Sequence, residues 1–311
     1  MTRHLLLIDE SKNVIFANNS SHRWDISTVV GAILPANKRK KWLEKYTNTK
    51  KGSEFSPDDE KEICAILDYM YTCRIKAVLV IADRGFVSTK EADRFRDNWI
   101  SSAKEGVSLE PIFLRDKLYH HLDNLAGKGE NRFSLQDFFK TLLILEVIFN
   151  LLNLLIGSLN QKPPSYLKKL SILIDDQCKA SLPTLKEFSY YFLNHRSRKN
   201  PFKCPPGAIH LLKDYLKKGG DRTFLDLTKL IDEIQVEEKA SMDDKYQELK
   251  IADLLANFSR RILLGEFSPE IVIKLKKILK IRESISFHPD YDVIANLPPY
   301  AEDAINLLLQ N

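Results

Sequence analysis

Three aspartates occupy positions that suit chemistry. Asp9 closes the apolar run Leu5 to Ile8, Asp175 closes Ser171 to Ile174, and Asp253 stands inside K-I-A-D-L-L-A, Lys250 to Ala256. Asp83 follows Val78 to Ala82 in the same way. A charged residue directly after a buried strand lies where α/β sheets gather ligand chemistry, beyond the carboxyl ends of their strands. Carboxylates brought together in a poorly solvated crevice repel one another and need a cation or raised pKa values. A hard divalent ion, Mg²⁺ or Mn²⁺, meets that need with oxygen ligands, and two such ions about 4 Å apart can activate a water and stabilise the leaving oxygen of a phosphodiester. Each aspartate taken singly also has a plainer reading, as a turn or helix-cap residue. For Asp253 that reading is an interior salt bridge with Arg260 or Arg261.

The surrounding pattern must position these groups. Short apolar runs at Leu5 to Ile8, Val14 to Ala17 and Ser27 to Leu34, separated by polar turn residues, predict a three-strand antiparallel meander. Lys76 to Ala82 and Leu170 to Ile174 read as strands buried on both faces, and Ile234 to Val236 as a short one. Ser56, Pro57 and Asp59 form a capping box that opens a helix with Ile63, Ile66, Leu67 and Met70 on its apolar face. Asn37 to Tyr46 predicts a basic helix, and Leu185 to Asn194 another. Tyr246 to Leu264 predicts the helix that carries Asp253, with Ala252 and Ala256 allowing close approach to the sheet. Between about 86 and 165 the pattern is helical, an insertion ending at Pro163 and Pro164. Ser268 and Pro269 open a further helix, to about Ile281, and Ala301 to Leu309 a last one. The expected organisation is an α/β domain over 1–265, with a mixed sheet, flanking helices and the insertion, followed by a C-terminal helical tail over 266–311.

The 311 residues are 44% hydrophobic, which excludes a disordered or fibrous chain. Cys64, Cys73, Cys178 and Cys204 include no C-x-x-C pair, so neither a disulfide framework nor a zinc site is expected and a reducing cytoplasm suits the chain. The start has no signal-peptide pattern. Leu142 to Leu159 is apolar enough to suggest a membrane span, but Glu146, Asn150 and Asn153 share one stripe of it, so it reads as a helix buried in protein, within one chain or across a homodimer.

I-D-E-S at Ile8 to Ser11, the strand ending in Asp175, and K-I-A-D-L-L-A resemble, in that order, the domain-of-unknown-function 3800 family, whose fold is RNase H-like. Its motifs read I-D-E-S-G and Q-L-A-D-L-I/V-A, so Lys12 and Lys250 depart from them. The resemblance covers about residues 5 to 264. It implies that Asp9, Asp175 and Asp253 are catalytic metal ligands and that Glu10 matches the second acidic residue. Lys51 to Phe55 is similar to the family's K-G-S-E-L stretch, but Thr49 stands where the family commonly has Glu, and Glu54 or Glu62 would have to substitute. In that fold the closing helix follows the last strand directly, which makes Leu170 to Ile174 the central parallel strand and ranks Asp83 below Asp175.

Net charge is only +5, yet Asn37 to Lys51 carries seven Lys or Arg against one Glu. Lys38, Arg39, Lys40, Lys41 and Lys51 there, and His195, Arg196, Arg198 and Lys199 further on, could meet a nucleic-acid backbone. Solvated helix faces are the plainer reading. Tyr190, Tyr191, Phe192 and Phe202 could stack on bases or pack in the core. His120 and His121 read as structural. The expectation is a nuclease that cuts RNA or DNA with Mg²⁺ or Mn²⁺. The alternative is a catalytically weak nucleic-acid-binding scaffold that keeps the fold.

Overall fold

The computed structural model describes residues 4–11, 26–83, 88–110, 112–128, 133–157, 170–175, 192, 210, 212–213, 216–219, 222–225, 235–238, 244–286 and 299–309. The strands are β1 (His4–Ser11), β2 (Ile26–Leu34), β3 (Lys76–Asp83), β4 (Leu170–Ile174), β5 (Leu216–Gly219), β6 (Arg222–Leu225), β7 (Gln235–Glu238) and β8 (Leu279–Ser286). The helices are α1 (Arg39–Tyr46), α2 (Glu60–Thr72), α3 (Thr89–Val107), α4 (Ile112–Leu125), α5 (Leu135–Gly157), α6 (Lys250–Leu263), α7 (Pro269–Lys276) and α8 (Pro299–Leu309). Six strands form one mixed sheet in the order β7-β4-β1-β2-β3-β8, and β5 pairs with β6 separately. β1, β2 and β3 are successively antiparallel, β4 runs parallel to β1, β7 parallel to β4, and β8 parallel to β3.

Strand alternation sorts the core into two layers, because successive side chains point to opposite faces. On β1, Leu6 and Ile8 pack with Phe138, Leu142, Val147 and Leu151 of α5. Leu5 and Leu7 pack with the layer holding Ile66 of α2, Leu254 and Phe258 of α6, and Ile271 of α7. All nine residues of β2 are buried, as a strand covered on both faces requires. Gly31 on β2 lets α5 lie close: a Cβ there would stand 2.4 Å from Val147 Cγ1 and 2.5 Å from Leu151 Cδ1.

α5 is the one helix among the described residues long and apolar enough to cross a membrane, and 83% of its most apolar window is buried inside the protein. The sheet covers one side. Trp99 of α3 meets Phe138 edge-on at 5.6 Å between ring centroids, and Phe95 meets Phe139 at 5.6 Å. Within the expected polar stripe, Asn150 Nδ2 donates to the Glu146 carbonyl at 2.9 Å.

The insertion, the capped helix α2 and strands β3, β4 and β7 follow the sequence pattern. At Ser56 the backbone N–H donates to Asp59 Oδ2 at 2.7 Å, closing the expected box. The meander differs. β1 pairs directly with β2 in register Leu5↔Leu34, and its other neighbour is β4, so the third antiparallel strand is β3. Val14 to Ala17 lies outside the described residues, as does Leu185 to Asn194. The tail differs as well: α7 ends at Lys276, and Leu279–Ser286 forms β8 on the sheet edge beside β3. Leu279 and Ile281 favour a strand through their β3 partners Ala77 and Leu79, a tertiary gain that helical continuation would forgo.

Candidate functional site

Alternation along β1 continues past its apolar run, and that decides where the first acidic pair points. Asp9 shares parity with Leu5 and Leu7 and so faces the α6 layer, whereas Glu10 shares parity with Leu6 and Ile8 and faces α5. Asp175 follows β4 immediately. Its N–H donates to the Ile8 carbonyl at 3.3 Å, carrying the parallel ladder one step beyond the strand and setting Asp175 next to Asp9. Asp253 comes from α6, which lies across β1 and β2. Thr28 Oγ1 of β2 donates to the Ala256 carbonyl at 2.9 Å and hydrogen-bonds Ser11 Oγ at 2.6 Å, pinning helix to sheet beside the carboxylates. Ala252 and Ala256 are buried in that contact, the small-residue approach expected from the sequence.

The three aspartates meet electrostatically at Asp9. Burial raises the Asp9 carboxyl well above its ordinary value, and the charges of Asp175 and Asp253 raise it further. The Glu10 N–H, donating to Asp9 Oδ1 at 2.7 Å, opposes this only in part. Asp175 and Asp253 are 8% and 9% exposed. Burial also raises Asp253, against the donors that hold it. The Gly52 N–H reaches Asp253 Oδ2 at 2.7 Å, Asn257 Nδ2 reaches Oδ1 at 2.8 Å, and the charge of Lys51 lowers it further. Its plainer reading as a salt-bridge partner is not what forms: Arg260 Nε donates to the Ile26 carbonyl, and Arg261 pairs with Glu266 at 2.6 Å and donates to the Phe55 carbonyl.

Beside this group a crevice with room for about one water-sized group is lined by Ile8, Asp9, Glu10, Val29, Ile144, Ile174 and Asp175. Its apolar walls lower the local dielectric, which strengthens the effect of the neighbouring charges on Asp9. Three carboxylates, Asp9 half-buried and Asp175 and Asp253 buried, offer hard oxygen donors and excess negative charge that suit Mg²⁺ or Mn²⁺ rather than a soft metal. Among the described residues, the group whose ligand atoms already lie within 4.8 Å of one another is a different one, Glu60, Cys64 and Glu270 on α2 and α7. There Ser268 Oγ donates to Glu60, and Lys274 stands 3.7 Å from Glu270, so protein groups already answer part of that charge.

The other expected site residues divide. Glu10 is paired with Lys140 of α5 at 2.6 Å. Glu54 is exposed, accepts the Lys51 N–H at 3.0 Å, and adds its charge to those raising Asp253. Glu62 is exposed and stands 3.7 Å from Lys50. Asp83 ends β3, two strands from β1. In the first basic run Arg39 pairs with Glu248, Lys40 with Glu44 at 3.7 Å and Lys50 with Asp59 at 3.0 Å; burial raises the Cys73 thiol, and the nearby charges of Lys38 and Lys41 oppose that rise only in part. His195, Arg196, Arg198 and Lys199 lie outside the described residues. Phe192 packs against the α5 layer.

Sequence reasoning missed Gly52, Asn257, Lys140 and Lys250 as members of this neighbourhood. Asn257 carries a signal, since it stands one helical turn after Asp253. Lys250 Nζ donates to the Thr47 and Thr49 carbonyls, each at 2.8 Å, and so fixes the segment leading to Gly52.

No family model, curated protein or solved structure matches the chain. The site therefore stands on its own geometry: Asp9 near the carboxyl end of β1, Asp175 just beyond β4, and Asp253 on α6 above them.

Proposed function

We propose that the chain is a divalent-metal-dependent phosphodiesterase of the RNase H-like class, a nuclease acting on RNA or DNA. The observation that carries this reading is the convergence of three distant parts of the sequence on Asp9, which lies beside Asp175 through the Asp175 N–H to Ile8 carbonyl bond and feels the charges of both Asp175 and Asp253. The order β7-β4-β1-β2-β3, an antiparallel meander continued by two parallel strands, supports the RNase H-like assignment, as do the I-D-E-S and K-I-A-D-L-L-A motifs.

In this reading Asp9, Asp175 and Asp253 would hold Mg²⁺ or Mn²⁺. When bound, the ions supply a water of lowered pKa and charge stabilisation at the leaving oxygen. The chain's own groups do the rest. Gly52 and Asn257 aim both oxygens of Asp253, the Glu10 N–H orients Asp9, and Ile8, Val29, Ile144 and Ile174 exclude bulk water so that charge interactions act at low dielectric. Lys51, beside Asp253, and Lys38 and Lys41 of the first basic run are cations this reading offers to a phosphate backbone.

The test is cleavage of labelled RNA and DNA in Mg²⁺ or Mn²⁺ by the wild type and by Asp9→Asn and Asp253→Asn. Both variants should fold and lose cleavage; undiminished cleavage in both would remove the proposal. A binding scaffold with weak or no catalysis is the second reading, favoured by Thr49 in place of an acidic residue. Nucleic-acid affinity without Mn²⁺ binding at millimolar concentration would select it.

A further inference from the structure

The strongest unexplained feature is a cation buried in the most apolar helix of the protein. Lys140 of α5 is 4% exposed and is flanked in sequence by Phe138, Phe139, Leu142 and Leu143, all buried. Its Nζ lies 2.6 Å from Glu10 Oε1, on a side chain only 7% exposed. Ile144, one turn further along the same face of α5, lines the acidic crevice together with Glu10.

Burying an ion pair costs several kcal/mol per ion in desolvation, and apolar replacements of such pairs are often neutral or stabilising. Stability alone gives no reason for a lysine here. The arrangement of β1 does. Asp9 and Glu10 are consecutive, so they necessarily face opposite sides of the sheet, yet both reach the crevice at the strand end. The charges of Asp175, Asp253 and Glu10 all raise Asp9, and without a cation on Glu10 its share would be larger.

We infer that Lys140 is a built-in cation of the acidic centre, a positioning residue that holds Glu10 on the α5 side and confines divalent-metal binding to Asp9, Asp175 and Asp253. The inference rests on the metal-centre reading above. It gives the helical insertion a part in the site: α5 sets the charge of the centre as well as covering the sheet. It also assigns Glu10, the second acidic residue of I-D-E-S, to charge balance rather than to metal ligation.

The test is isothermal calorimetry with Mn²⁺ on the full chain, with circular dichroism and thermal melting as folding controls. Lys140→Met removes the positive charge beside Glu10 and should bind Mn²⁺ about tenfold more tightly or better, since one unit charge at close range in a partly buried site is worth at least that factor. Glu10→Gln removes a negative charge from beside the centre and should bind about tenfold more weakly. The double variant, which removes both charges of the pair, should return to about the wild-type affinity, and Lys140→Arg should keep it. Unchanged or weaker affinity in folded Lys140→Met overturns the inference. A double variant as weak as Glu10→Gln also overturns it, because Glu10 would then be a ligand. Mn²⁺ binding by neither the wild type nor any variant would instead overturn the metal-centre reading, and this inference with it.

Discussion

The Gly52 backbone N–H donates to Asp253 Oδ2 at 2.7 Å across 201 positions of sequence. The turn Gly52–Glu54 comes so near α6 that a Cβ on Gly52 would stand 2.7 Å from Asn257 Cβ and 2.9 Å from the Asp253 carbonyl oxygen. Neither neighbour can yield, one being helix backbone and the other bonded directly to it. Gly52→Ala should therefore destabilise the protein by about 1–3 kcal/mol and loosen Asp253. Urea unfolding and Mn²⁺ calorimetry measure the two effects, and an unaltered variant in both would show that this turn does not brace the site.

Asn257 binds Asp253 twice, through Oδ1 at 2.8 Å and through the carbonyl at 3.0 Å. Outer groups that orient a ligating carboxylate are worth roughly 10–100-fold in metal affinity. Asn257→Ala should show a loss of that size in Mn²⁺ binding with the far-ultraviolet circular dichroism spectrum retained. Wild-type affinity would mean that Gly52 alone sets the orientation.

Asp9 gives a pH dependence with a definite sign. Its folded pKa lies above its unfolded value because burial and the charges of Asp175 and Asp253 disfavour the carboxylate. The folded state thus binds more protons, so this group's contribution to stability is greatest below the unfolded aspartate pKa of about 3.9 and is lost as pH rises through the folded value. In metal-free buffer Asp9→Asn should gain stability relative to the wild type as pH rises from acid to neutral. Mn²⁺ at a hundred times its dissociation constant should restore about 2.7 kcal/mol to the wild type and nothing to the variant. Thermal melts at several pH values with and without Mn²⁺ decide it; a wild-type-minus-variant difference that is flat with pH would contradict the assignment.

Gly31 tests how α5 is seated. A methyl there meets Val147 and Leu151, so Gly31→Ala should cost about 1–3 kcal/mol. Leu151→Ala alone should cost about 2–5 kcal/mol as a cavity, but the two together should cost less than their sum, because the removed side chain vacates the space the methyl needs. Additive losses in a double-mutant cycle would place α5 further from β2.

Much of the fold was legible in the chain because it is locally encoded. The apolar runs of β3 and β4, the Ser56 box before α2 and the helical period of α5 and α6 each need only their own residues. The failure was one of partnership. Leu279–Ser286 becomes a strand because β3 leaves an edge open to it, a choice not written in the segment itself.

The site divides in the same way. Sequence alone determined that Asp9 and Asp175 follow buried apolar runs, although β1 continues through Asp9 to Ser11, and that Asp253 lies on the apolar face of its helix, since strand and helix periods fix which way a side chain points. Only the tertiary structure decided that the charges of Asp175 and Asp253 raise Asp9, that Asp253 is held by Gly52 and Asn257 rather than by an arginine, and that Glu10 is answered by Lys140. Those outcomes depend on which elements pack together over separations of a hundred residues and more, and packing of that range is set by the whole core rather than by any motif.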